Sequence, residues 1–230
     1  MQQEKNGEKL TPMQMAFYIV ISIFINALGN GLTVALNMGS AMWTAASVNL
    51  SYFLQIPFAI TMSMLGLFAL SWSIVITKSF DLRRAIANIC FMIPFSCLIG
   101  FFANFFRLLG VENLPLAVKI ILDISGIFVL ACGVSIYQRV NLFMHPIDEV
   151  IKNVRFYICH GKSRRGLIVS FIPPMMLIAL LYWITGDIHA VNIGTLVSLL
   201  FQGDFVAIGD KYVFPSLKHH FTSPIQNVKS

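Results

Sequence analysis

Apolar residues in this chain fall in long runs instead of the alternating patterns that line a soluble core. Six runs of about twenty residues stand out, at 13–38, 57–77, 85–106, 117–138, 167–185 and 190–209. A bilayer core about 30 Å thick takes about 20 residues of helix, and lipid leaves no partner for an unpaired backbone group. The pattern therefore predicts an all-α, polytopic membrane helical bundle with about six transmembrane helices. The bundle fills 13–209, between an N-terminal segment 1–12 and a C-terminal tail 210–230. The last run is interrupted by Gly194, Gln202, Gly203, Asp204 and Gly209, which predicts a broken or tilted helix there. Pro173-Pro174 in the fifth run predicts a kink.

Composition agrees with the pattern. Hydrophobic residues make up 57% of the chain, charged ones 11%, and the mean hydropathy is +0.77, where a soluble domain carries about a quarter charged residues. A net charge of +6 raises nucleic acid as a partner, but the charges sit between apolar runs, so orientation in the bilayer explains them and no nucleic acid is expected. With the N-terminus inside, 1–12, 78–84, 139–166 and 210–230 become cytoplasmic and hold 14 of the 16 Lys and Arg residues, all but Arg107 and Lys119. Both termini are then cytoplasmic. The first run is too long for the core of a secretory signal.

The sequence also resembles itself. Shifted by 104 residues, 23–54 aligns without a gap on 127–158, with identities at Ile23/Ile127, Phe24/Phe128, Ala27/Ala131, Gly29/Gly133, Asn37/Asn141 and Asn49/Asn153. Two copies of three helices each, about 13–106 and 117–209, would insert in opposite senses. That is a 3+3 inverted repeat, an arrangement that many secondary transporters use around a central site. The plainer reading is duplication within a bundle that transports nothing.

Against this apolar background, polar positions are the candidates for function. Asn26, Asn30, Thr33 and Asn37 recur at helical spacing along one face of the first helix, and Asn192, Thr195, Ser198 and Gln202 do so on the last. Amides facing lipid are costly, so each stripe needs polar surroundings or a wet pathway. Bonding between helices would satisfy them equally well. The charge-free segment 39–51 is too short to span. It reads either as a half-helix capped by Ser40 or Thr44 and aimed at a substrate, or as an interfacial helix anchored by Trp43. Asp123 stands four residues after Lys119, the spacing of an interfacial ion pair. Asp204 has no such neighbour and is the candidate for ion coupling, while Asp148 and Glu149 count among the loop acids. The five histidines and four cysteines show no metal-ligand spacing, and no catalytic fingerprint is present. No cofactor, no metal and no enzyme activity are expected.

Within 39–51, Gly39, Trp43, Thr44, Leu50 and Ser51 resemble the pattern of the YczE/YyaS/YitT family of bacterial multi-pass membrane proteins, with Met42 where proline is usual. Pro146-Ile147-Asp148 and Gly194-Thr195 are similar to that family's later motifs. The resemblance implies a bacterial plasma (inner) membrane protein. The substrate-pathway candidates are Asn26, Asn30, Thr33, Asn37, Trp43, Thr195, Gln202 and Asp204, and the expected function is a permease for a small-molecule solute in the lipid bilayer. The alternatives are a membrane accessory protein, or a substrate-binding subunit of a multi-component uptake system. In either, a partner, or a second copy of the chain, would dock on the basic loop 139–166.

Overall fold

The structure, a computed structural model, describes residues 10–142, 144–161 and 163–218. Most of the N-terminal segment, the end of the C-terminal tail and Lys162 of the basic loop lie outside the described residues. Eight α-helices follow one another: α1 Pro12–Leu36, α2 Met42–Leu54, α3 Phe58–Thr77, α4 Leu82–Leu108, α5 Leu116–Val140, α6 Pro146–Asn153, α7 Ser163–Thr185 and α8 Ile193–Tyr212. A π-helical turn, Val154–Ile158, extends α6. No strand occurs among the described residues, and six helices are long and apolar enough to cross a membrane. The chain is a multi-pass membrane protein. Its six spans are the six apolar runs, displaced at their ends by a few residues.

Local chemistry sets the helix ends. Thr11 caps α1 in a capping box with Gln14, ahead of Pro12 in the first turn, and Asp81 accepts from the first N–H groups of α4. At their C-terminal ends α1, α2, α3 and α5 each stop on a residue in the left-handed conformation: Asn37, Gln55, Lys78 and Asn141. Asparagine tolerates that conformation better than most residues. The α8 helix runs without a break through Gly194, Gly203 and Gly209, contrary to the expected interruption. Two of those glycines permit close approach instead. A Cβ on Gly209 would sit 3.0 Å from Ser135 Cβ, and one on Gly194 would collide with Asp123. The α7 helix likewise continues through Pro173-Pro174.

The element order is long, short, long, long, and then the same again. Adding 104 to the bounds of α1 gives the bounds of α5, and adding it to α2 gives Pro146–Ile158, which is α6 with its π-helical turn. The packing follows the same exchange. The α1 helix lies on α5 at the centre, α4 flanks α1 as α8 flanks α5, and α2 packs on α7 as α6 packs on α3. At the central crossing a Cβ on Gly29 would lie 2.5 Å from Leu130 N, and one on Gly133 would lie 2.6 Å from Asn26 N. These two contacts exchange under the same shift, because Asn26 and Leu130 are 104 residues apart. Small residues are what let two membrane helices cross backbone to backbone.

The basic segment 139–166 is built into the bundle and is not a free loop. Arg139 is 1% exposed, and its guanidinium donates to the carbonyls of Val213 (2.7 Å), Phe214 (2.9 Å) and Leu217 (3.1 Å). It thereby pins the chain beyond α8 to the end of α5. Pro146, Ile147, Glu149 and Val150 are buried too. Helix amphipathicity explains why α6 enters: its apolar Ile147, Val150 and Ile151 join the core, while Glu149 meets Arg84 and Asn88 of α4.

Candidate functional site

A half-open cavity of about 70 Å³ lies between the middles of α1, α5 and α8, with Met62 of α3, Phe95 of α4 and Leu167 and Phe171 of α7 as apolar wall. Asn26 and Asn30 face it from α1, Leu130 and Val134 from α5, and Gln202 from α8. The two short helices bring their N-terminal ends to the same place. Ala41, Trp43 and Thr44 line it at the start of α2, and His145, Ile147 and Asp148 line it at the start of α6. From there the short helices run to opposite ends of the bundle. Asn49 of α2 accepts from His189 N (2.9 Å) and donates to His189 O, in the α7–α8 connection. Asn153 of α6 instead donates to Ser73 Oγ (2.5 Å), near the end of α3. At 1.5 Å per residue α2 is about 20 Å long, enough to reach the middle but not to span.

A chain of hydrogen bonds ties these groups together. Asn30 Nδ2 donates to Asn26 Oδ1 (2.6 Å), and Thr44 Oγ1 donates to Asn30 Oδ1 (3.0 Å). Across the cavity Tyr137 Oη donates to Asp148 Oδ2 (2.5 Å). Ile147 N donates to His145 Nδ1 (3.3 Å), so His145 caps α6 through an unprotonated Nδ1 and carries its proton on Nε2. The short helix α6 lies between the spans, and burial disfavours the charged forms of His145 and Asp148. It pushes the His145 imidazole down to about 3 and the Asp148 carboxyl up to about 6, against a smaller opposing effect of the Tyr137 hydrogen bond.

Two buried donors here have nothing to bond. Among the described residues Trp43 Nε1 and His145 Nε2 have no partner, and their residues are 3% and 2% exposed. A buried donor left unpaired costs about 1–3 kcal/mol, and such an orphan is uncommon outside functional sites. The α2 helix adds to the surplus. No side chain caps it, and its first backbone bond is Ala45 N to Ala41 O (2.8 Å). The N–H groups of Met42, Trp43 and Thr44 therefore have no helical carbonyl to meet. Larger recesses open at the two ends of the bundle, about 290 Å³ beside Arg84 and Lys152 and about 660 Å³ beside Arg107. Neither is lined by an unpartnered buried polar atom among the described residues, and the central cavity is the candidate site.

The structure divides the residues singled out by the sequence. Asn26, Asn30, Trp43 and Gln202 line the cavity. Thr33 is buried, donates to Asn30 O (2.9 Å) and packs against Gly126 of α5. Asn37 ends α1 and accepts from Ala190 N (2.6 Å), while Thr195 accepts from Ser40 N (3.2 Å) and donates to Ala190 O. These last two knit the start of α8 to the end of α1, beside Gly39, which adopts φ 131° and would bring a Cβ within 2.7 Å of Gly194 N. The two polar stripes thus serve structure at one end and the cavity at the middle.

Several expectations change. Asp204 is exposed and does not line the cavity. Trp43 is buried and is not an interfacial anchor. Neither Ser40 nor Thr44 caps α2, whose N-cap is Ala41. Lys119 does not pair with Asp123: Lys119 Nζ donates to Glu112 O (3.1 Å), and Asp123 is buried beside Gly194 with Oδ1 unpartnered. The polar cavity residues that sequence reasoning did not count as pathway candidates are Thr44, Tyr137, His145 and Asp148, although Thr44 and Asp148 stood in the family-like motifs. One signal could have found Asp148, since the repeat aligns it with Thr44 in the segment already under suspicion.

No curated protein and no solved structure matches the chain. A family model does match, and it covers residues 13–211, which take in all eight helices nearly end to end. The chain therefore belongs to the family of unknown function DUF6198.

Proposed function

We propose that this protein is a permease that carries a small solute across a bacterial plasma membrane, with both termini in the cytoplasm. One observation carries the reading: two non-spanning helices enter from opposite ends and present their N-termini to a cavity midway along the spans, where a few polar side chains converge in a mostly apolar wall. Discontinuous helices that aim backbone dipoles at a midplane site are a recurrent design in transporters. The exchange of α1–α4 with α5–α8 in order and packing supports an inverted repeat with halves near 13–106 and 117–209. Three spans per half would invert the second copy. The resemblance of Gly39, Trp43, Leu50 and Ser51 to the YczE/YyaS/YitT family supports the bacterial plasma membrane. The ends that gather Arg84, Arg139, Lys152 and Lys211 would face the cytoplasm.

Two other readings have less support. Docking of a partner on 139–166 meets the burial of Arg139 and of most of α6, and a cavity of about 70 Å³ is small for a vitamin-sized ligand. Solute flux into vesicles reconstituted with the full chain tests the permease. Asn30→Leu and Gln202→Leu should abolish flux while leaving the protein folded, and a wild type that moves no small solute would refute it. Cysteine labelling in a background without the native cysteines tests the orientation. Gln55→Cys should react from outside intact cells and Ser79→Cys should not.

A further inference from the structure

Among the described residues, the buried polar atoms at the central cavity that lack a partner are both donors. Several of its acceptors are engaged internally: Asn26 Oδ1 by Asn30, Asn30 Oδ1 by Thr44, Asp148 Oδ2 by Tyr137 and Gln202 Oε1 by Ser198. What remains unspent is donor. Trp43 Nε1–H and His145 Nε2–H are buried and unpartnered, and the first N–H groups of α2 are uncapped. The positive ends of two helix dipoles add to this surplus. A cation would leave these groups unpaired and a neutral solute would gain little from the helix dipoles, whereas an anion would satisfy the donors and meet the positive helix ends. Size narrows the class further. An engineered cavity of about 150 Å³ holds benzene, so one of about 70 Å³ has room for roughly three or four heavy atoms.

We infer that the cavity binds a small monovalent anion, of the size and planarity of formate or nitrate, through Trp43 Nε1–H and His145 Nε2–H. The inference deepens the permease reading and rests on it only for what becomes of the anion after binding. Among the described residues Asp148 is the one carboxylate lining the cavity. It stands at the third position of α6, where the helix dipole offsets its charge and Tyr137 holds it. The ligand is thereby directed toward the Trp43 and His145 side.

Titration calorimetry on the purified full chain in detergent tests this with matched pairs. Sodium nitrate is set against urea and sodium formate against formamide, each pair planar and equal in heavy atoms but differing in charge. Nitrate or formate should bind saturably, and urea and formamide should not. Trp43→Phe, which keeps the ring and removes the donor, should weaken binding roughly tenfold. His145→Asn, which can still cap α6, should do the same, while Trp72→Phe, off the cavity, should change nothing. Equal binding of the neutral partners, no saturable anion binding by the folded wild type, or unchanged affinity in both cavity variants would each overturn the inference. Vesicle flux separates it from the permease reading. Nitrate that binds in this variant-sensitive way but does not cross leaves the site standing and removes the permease. Urea that crosses where nitrate neither binds nor crosses does the reverse.

Discussion

The two halves of the bundle are most alike where α1 crosses α5 and least alike in their short helices. At the crossing, Gly29 rests on Leu130 and Gly133 on Asn26, the same contact seen from each side. The short helices share position and role as non-spanning inserts, and match in length once the π-helical turn is counted with α6, yet α2 has no charge and no cap, whereas α6 carries Asp148, Glu149 and Lys152 and is capped by His145. The difference shows which features geometry demands of both halves. Backbone proximity at the centre requires a small residue in each half, because no other side chain fits. A short helix that reaches the middle can be held there either by neutral packing or by a charge network, so its chemistry is free to specialise. Here α2 supplies neutral donors to the cavity and α6 supplies its titratable groups.

The comparison is broken most severely at the crossing. Gly29→Val and Gly133→Val should each destabilise the protein by about 3 kcal/mol or more, since the added atoms meet backbone and not a movable side chain. Thermal unfolding in detergent should register losses of similar size in both. A large loss in one and none in the other would mean that the two contacts are not equivalent.

A smaller effect is expected on the charged side of α6. Glu149 is buried and accepts from Asn88, which is 1% exposed, and pairs with the half-exposed Arg84. Glu149→Leu leaves the Asn88 amide without its partner and should cost about 2 kcal/mol. Its counterpart in α2 is Ala45, fully buried in a charge-free setting. Adding Asn88→Leu to Glu149→Leu should recover part of the loss, because both polar partners are then gone. Denaturant titration of the two variants decides this.

The mildest change to the packing is Thr44→Val, which removes the donor to Asn30 Oδ1 and should cost about 1 kcal/mol. It should alter ligand affinity more than melting temperature, since Asn30 is freed to turn within the cavity.

Ionisation sharpens the contrast further, because Asp148 has no acidic counterpart in α2. Its carboxyl, raised to about 6 by burial, is charged above that pH and neutral below it. A negative neighbour opposes an anion, so nitrate affinity should rise as pH falls from 8 to 5, by severalfold. Asp148→Asn should remove the dependence. Tyr137 of α5 and His145 of α6 are the other titratable groups lining the cavity, and α1, α2, α3, α4, α7 and α8 contribute no charged residue to it. A pH profile that persists in Asp148→Asn would point to one of those two.

The amino-acid sequence by itself determined the six spans, the grouping of positive charge and the match of α1–α2 to α5–α6 at a shift of 104 residues. Each depends on local causes: the apolar length needed to cross a bilayer, hydrogen bonds closed within one helix, and residue identity at a fixed shift. Tertiary structure alone decided which polar residues share a space. His145 and Asp148 read as loop residues because α6 is only eight residues long and its seat is made by α3 and α4, far away in the chain. Asn37 and Thr195 read as pathway residues because helical spacing places them in line with Asn30 and Gln202. Periodicity names a face but not its neighbour, and here the far end of that face meets the α7–α8 connection. Arg139 is the plainest case. A lone arginine after an apolar run marks the cytoplasmic boundary, and only the fold supplies the carbonyls of 213–217 that bury it.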